Sequence, residues 1–441
     1  MGALVAATVG TALTVGAWKL DEVSSRAIPR SLASSSRLPT PLSTPILSLR
    51  RSPQQITSLL STSQVTEQLA QVATAIPQGS CLFAVADGRV VAAVSPDSAV
   101  VPASSQKIIT AAVALEVLGS EFRFETKLLG VVSQGTVIGD LTVLGSGDPL
   151  LSTAKYRTNS EAMMHYAPTP FTNVEDLVAS VRAAGITSIG GRIVVDDSRF
   201  DAERRVATWA PGQVTPIGAL VIDDSQIGGG GRGYATDPGL SAGEVIKTQF
   251  LAEGIRVGGG VVRGSAQPTD TVLASIKSAP LREVLAETLT RSDNDSAEMV
   301  HRELGAKRSL PGSRAGGNAV IAETLTAWGV PTAGTVVVDG SGLDASNRST
   351  CRTLAGVLEH VGPASDLAAG LPRPGRPGTL ADVAFGPVAR ERLAAKTGTL
   401  LSETVKALVG FVRTDDGRAV SFAVVLNAPD AANVSRPCGC G

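Results

Sequence analysis

The chain has 441 residues, 43% of them hydrophobic and 18% charged, which suits a globular protein of two or three domains and excludes a wholly disordered one. A formal charge of −1, with no basic stripe, gives no electrostatic footprint for nucleic acid. Its three histidines, His165, His301 and His360, share no metal-ligand spacing, so no zinc site is expected.

The first 20 residues hold an uncharged run, GALVAATVGTALTVGAW, whose first cation is Lys19. It is near the lower limit for a membrane span, lacks a basic n-region, and reads as a signal or anchor segment. Residues 21–63 are rich in Ser, Pro and Arg and read as an extended linker. An apolar start followed by a spacer implies export. The folded part would then lie at the outer face of the cytoplasmic membrane, in the periplasm or in the wall, with membrane association through the N-terminal segment.

Folding is expected from residue 64. QVTEQLAQVATAI has helical spacing, and CLFAVADGRVVAAVSP reads as two strands joined at an ADGR turn. VPASSQKIITAAVALEVLG follows, apolar on nearly every face over 108–118, which predicts a central, enclosed helix. Residues 126–274 change texture: short strands alternate with Gly-rich turns, one helix (VEDLVASVRAAG) interrupts them, and Gly228 to Gly231 predict a mobile loop. This stretch reads as an inserted, mostly β domain. Helices resume in LREVLAETLTRSDNDSAEMVHRELGA, and ETVKALVGFVRTDDGRAVSFAVVLNAP predicts a hairpin at an interior sheet position. A sheet built from both chain ends, 64–125 and 275–441, with helices around it, is an α/β or α+β arrangement. Of four cysteines, Cys438 and Cys440 lie in a terminal RPCGCG. Cys81 and Cys351 are either a bridge or, the favoured reading, two small buried hydrophobes.

Two Ser-x-x-Lys pairs occur. Ser152 and Lys155 sit in polar surroundings that suggest a surface loop. Ser104 and Lys107 head the apolar helix, where i, i+3 spacing shares one face and free N–H groups favour developing negative charge. A lysine held in an apolar site loses proton affinity, so Lys107 is a candidate base toward Ser104. On that segment alone, a capping serine with a snorkelling lysine is an equal reading. Ser292-Asp293-Asn294, before an amphipathic helix, is the sole Ser-x-Asn. Lys396-Thr397-Gly398, before Thr399 and the terminal hairpin, is the sole Lys-Thr-Gly. Each alone is also what a cap or strand-edge turn offers. In this order the trio is that of penicillin-binding proteins and class A β-lactamases.

On these motifs the chain resembles the D-alanyl-D-alanine carboxypeptidase/endopeptidase family, the class C low-molecular-mass penicillin-binding proteins. The stretches VPASSQKIITAA, TRSDNDSAEMVHRELG, VVDGSGLDASNRST, LGSGDPLL and GRIVVDDSRFD carry the likeness, over about residues 64 to 430. The resemblance implies a serine β-lactamase/penicillin-binding-protein-like fold, an antiparallel sheet flanked by helices with the insert added. It implies that Ser104 attacks the carbonyl between two D-alanines of a peptidoglycan stem peptide and that Lys107 takes its proton. Ser292 would relay the proton, and Asn294 would bind a substrate amide. Lys396, Thr397, Gly398 and Thr399 would hold the terminal carboxylate, and the N–H groups of Ser104 and Thr399 would form the oxyanion hole. No metal or organic cofactor is required, and β-lactams would acylate Ser104 as covalent inhibitors. The short insert leaves endopeptidase activity open. A β-lactamase lacks support, since no Glu-x-x-Leu-Asn lies between Asn294 and Lys396. A non-catalytic wall binder is disfavoured by the occupied motifs, and a Ser-His-Asp hydrolase by three histidines in unremarkable contexts. His301 reads as structural, Asp148 and Asp197 as turn residues, and Ser341 as a loop serine.

Overall fold

The computed structural model describes residues 66–428 apart from 68, 163–167, 230–232, 384 and 415–417. The N-terminal apolar segment, the whole linker, the Cys-Gly-Cys tail and half of the four-glycine run lie outside the described residues. Among the described residues no helix is long and apolar enough to cross a membrane.

Both chain ends build one five-stranded antiparallel sheet. Its strands run in the order Leu393–Leu400, Val405–Arg413, Ala419–Asn427, Cys81–Ala86, Arg89–Val94. The alternation of strand side chains decides its two faces. Phe83, Val409, Phe411 and Val425 join one core with the helices Gln106–Leu118 and Cys351–Val361. Leu82, Leu408, Phe422 and Val424 face the other way, against Leu69, Val72 and Ala389. The central helix is buried from Gln106 to Ala114, as its all-round apolarity predicts.

Cys81 and Cys351 form a disulfide with Cα atoms 5.8 Å apart, tying the second-outermost strand to the Cys351–Val361 helix. This corrects the reading of two free hydrophobes: both residues are buried in the same sheet–helix seam, within bridging distance.

The stretch between 125 and 277 is more helical than its glycine-rich texture suggests. A mixed five-stranded sheet runs Val261–Arg263, Ile193–Asp196, Leu141–Leu144, Glu125–Gly130, Thr271–Lys277, beside a smaller four-stranded one. Three helices accompany them: Ala154–Ala162, the expected Val174–Ala183, and Pro238–Ala252. The last is started by Asp237, whose side chain accepts from Leu240 N, and by Pro238 in its first turn. Ser152 is a second departure: it is buried on the short strand Leu151–Ser152 rather than in a surface loop, and only Lys155 is exposed.

Candidate active site

Ser104 does not lie in the long helix but in the 3₁₀ turn Ala103–Ser105 before it. Ala103 adopts a left-handed φ of 48°, Ser105 Oγ donates to Pro102 O at 2.6 Å, and the helix begins at Gln106. Ser104 is thereby left as the half-exposed residue in a buried run. The turn carries on into the helix, so Lys107 still falls one turn on, and its Nζ donates to Ser104 Oγ at 3.0 Å.

Lys107 is 1% exposed. Its ammonium has two further acceptors, Asn294 Oδ1 at 2.7 Å and Ser341 O at 2.9 Å. Burial pulls its pKa down to about 8, against the opposing pull of Glu298, Asp339, Asp293 and Asp295. The second pair is built the same way. Lys396 Nζ donates to Ser292 Oγ and Thr397 O, each at 2.8 Å, and is fully buried. Burial, then the nearby charge of Lys107, hold Lys396 well below the ordinary lysine value. Two serine hydroxyls thus each meet a buried amine, and the amines sense one another.

Ser292 caps the helix Leu281–Arg291 in the left-handed region, φ 62° and ψ 36°, where glycine is usual. A serine kept there carries backbone strain of order 1 kcal/mol or more, which its contact with Lys396 rationalises. Asp293 then starts the next helix, Asn294–Arg308, by accepting from Ser296 N at 3.2 Å. That cap aims Asn294 into the site.

Sequence reasoning gives Asn294 to a substrate amide. The structure occupies its carboxamide oxygen with Lys107 and one N–H with Gln213 O at 2.8 Å. One N–H remains for a substrate acceptor. Thr397 Oγ1 donates to Thr379 Oγ1 at 3.0 Å, and Thr399 Oγ1 accepts from Lys406 Nζ at 3.2 Å on the exposed rim. Gly398 is required by close approach. A Cβ there would meet Ala407 Cβ at 2.9 Å, Pro102 O at 3.0 Å and Ser105 N at 3.2 Å. The Leu393–Leu400 strand therefore lies directly against the Ala103–Ser105 turn.

All eight sequence-predicted residues fall in or beside this cluster of contacts. Three contributors were not foreseen: the Ser341 carbonyl, the Gln213 carbonyl, and Asp295, which accepts from Thr215 N and Oγ1 at 2.7 and 2.9 Å. The carbonyls are backbone atoms without a sequence signature. Asp295 could have been suspected as a charge beside the motif. Ser152 and Lys155 are not in these contacts. His301 is fully buried and held neutral, its pKa pulled down to about 3 by burial and then by Arg302. Asp148 accepts from Leu150 N at 2.9 Å in its turn, whereas Asp197 pairs with Arg204 and Arg263.

The profile of the D-Ala-D-Ala carboxypeptidase 3 (S13) family matches residues 62–228 and 234–438. Carboxypeptidase Rv3627c of Mycobacterium tuberculosis is 32% identical over 354 residues, covering 75% of this chain and 72% of the relative. Carboxypeptidase DacB of Mycolicibacterium smegmatis is 32% identical over 371 residues, covering 77% and 76%. Penicillin binding protein 4 (dacB) of Haemophilus influenzae superposes with a TM-score of 0.68 at 23% identity, over 81% of this chain and 93% of that one, and shares the fold. With the motif residues gathered in one cluster and most of its length matched, the chain belongs to the D-Ala-D-Ala carboxypeptidase 3 (S13) family.

Proposed function

We propose that this protein removes the terminal D-alanine of peptidoglycan pentapeptides through an acyl-enzyme on Ser104. The chain is a serine-type D-Ala-D-Ala carboxypeptidase of the penicillin-binding class. The observation that carries the residue assignments is the pair of amine–hydroxyl contacts, Lys107 on Ser104 at 3.0 Å and Lys396 on Ser292 at 2.8 Å.

In this reading neutral Lys107 accepts the Ser104 proton as Oγ attacks the penultimate D-alanine carbonyl. The N–H groups of Ser104 and Thr399 receive the oxyanion, a contribution worth about 100- to 1,000-fold per donor. As the C–N bond breaks, Ser292 Oγ–H protonates the departing amine and is reprotonated from the lysine pair. Water then hydrolyses the ester, with Lys107 again taking the proton. The free C-terminal carboxylate of the substrate docks at Thr397, Thr399 and Lys396. There its charge keeps Lys396 protonated, and repulsion from that cation leaves Lys107 to give up its proton. β-Lactams, carrying a carboxylate and a strained amide in the same relation, acylate Ser104. The Haemophilus relative was solved in complex with a β-lactam.

We assign catalysis to the unit of 64–125 and 275–441, and access to the insert, 126–274. The disulfide supports an exported location, because such bonds persist in oxidising compartments. Membrane attachment through the N-terminal segment belongs to the same proposal.

The test is fluorescent penicillin labelling of the wild type and Ser104→Ala, with mass spectrometry of muropeptides after incubation. Labelling lost in Ser104→Ala and loss of one D-alanine from pentapeptides are expected. Splitting of cross-linked dimers without that loss would favour an endopeptidase, and rapid nitrocefin turnover a β-lactamase.

A further inference from the structure

The carbonyl of Ser341 holds Lys107, yet nothing in a backbone carbonyl fixes its own direction. The loop 339–344 does so from outside. Ser341 N–H donates to Glu298 Oε1 at 2.7 Å, and Asp339 accepts from Gly342 N and Asp344 N, each at 2.8 Å. Thr110 Oγ1 donates to Gly340 O at 2.7 Å. Gly342, at φ 84°, lies so near the nucleophile turn that a Cβ would come within 2.0 Å of Ala103 O. Glu298 stands four residues after Asn294 on one helix, so both are on the same face. Asn294 reaches Lys107 directly; Glu298 reaches it through the backbone of Ser341, holding the N–H of the 340–341 peptide while Asp339, through Gly342 N–H, holds the 341–342 peptide that carries the carbonyl. Glu298 is fully buried, with Oε2 3.7 Å from Arg302 Nη1.

We propose that Glu298 is a positioning residue for acylation: its carboxylate anchors the N–H of Ser341, next to the peptide whose carbonyl binds Lys107, and its charge faces the ammonium across that residue. The proposal rests on Lys107 acting as the base toward Ser104. Lys107 is also faced by Asp293 and Asp295 from the same helix, by Asp339 from the loop and by Lys396 from the strand. Glu298 in turn faces Arg302 on its own helix, Arg314 on the next, and Asp339. Among the carboxylates that support the charge of Lys107, Glu298 acts most strongly. Burial, then Asp339, push Glu298 up to about 7, so it is ionised where Lys107 loses its proton.

The experiment is the pH dependence of the first-order rate of acylation by fluorescent penicillin, for wild type, Glu298→Gln and Glu298→Ala, with thermal unfolding of each. Glutamine keeps an acceptor oxygen for Ser341 N–H without the charge; alanine keeps neither. Removing an anion lowers the proton affinity of a neighbouring amine, so the acid limb of Glu298→Gln moves to lower pH by about one unit. Glu298→Ala has a high-pH plateau about tenfold below that of Glu298→Gln, because the acceptor that orients the peptide is gone. A purely structural glutamate would change unfolding temperature and leave the limb in place. Coincident limbs for wild type and Glu298→Gln overturn the proposal. Equal plateaus for the two variants overturn it as well. If Glu298→Ala does not fold, the limb of Glu298→Gln decides alone. A wild type that no penicillin acylates at any pH removes the base reading itself, a result distinct from an unshifted limb.

Discussion

The acylation rate should rise with pH along a single limb centred at about 8, the value to which burial pulls Lys107. A lysine at its ordinary 10.5 is neutral in about 3 molecules in 10,000 at pH 7; at about 8 the neutral share is about one in ten. Burial therefore supplies roughly a 300-fold larger share of active base, about 3 kcal/mol. The sign follows from the role. The base works unprotonated, so the rate falls tenfold per pH unit below the limb and levels off above it. The two amines titrate as a pair, and the second-order labelling rate at subsaturating penicillin reports the ligand-free protein to which the value of about 8 belongs. The assay is stopped-flow or quenched labelling at subsaturating fluorescent penicillin from pH 5.5 to 9.5, with Lys107→Arg as control. Arginine keeps the charge and cannot lose it, so labelling should be abolished. A rate flat from pH 6 to 9, or one that falls as pH rises, would refute the assignment of Lys107 as base.

Replacing Cys81 and Cys351 by alanine frees a loop with a sequence separation of 270, so stability should fall by about 2–4 kcal/mol. Thermal unfolding should show a Tm several degrees lower, equalled by wild type in reductant, while folded protein still takes up penicillin; an unchanged Tm would argue against the bridge. Trp209→Phe removes the indole N–H that donates to Asp339 Oδ2 at 2.9 Å, in a buried site. A loss of about 1–3 kcal/mol in urea unfolding is expected, with slower acylation, and a variant unchanged in both would disconnect the insert from the loop around Asp339.

Much of this site was legible because the chemistry fixes residue type at short spacing. Ser-x-x-Lys, Ser-x-Asn and Lys-Thr-Gly are each short local patterns, and the chain order of the three is their signature. The central helix and the terminal hairpin were legible from apolar runs too long for a surface. What escaped has no such local mark. The carbonyls of Ser341 and Gln213 act through backbone atoms, which every residue carries. The disulfide joins cysteines with no spacing rule between them. Polar KYRTNSE around Ser152 hid a helix packed after a buried strand, because polarity reports one face and not the other. The Pro238–Ala252 helix did leave a signal, an Asp-Pro start, that the surrounding glycines masked.

The insert is bound into the site rather than appended to it. Along 214–222 the side chains alternate between two cores: Val214, Ile217, Ala219 and Val221 pack with the catalytic helices, whereas Leu220 and Ile222 pack with the insert sheet. From this segment and the residues just before it, Gln213 O holds Asn294, Thr215 holds Asp295, and Trp209 and Thr208 reach Asp339 and Asp344. Lys107 takes two of its three acceptors from groups gripped in this way, Asn294 by Gln213 and Ser341 by the loop wound on Asp339. A segment assigned to the insert by its texture therefore helps set the position of the amine proposed as the base for acylation. Substitutions in 208–215 should act on the acylation rate before they act on substrate access, because their partners touch the base and not only the rim of the cleft.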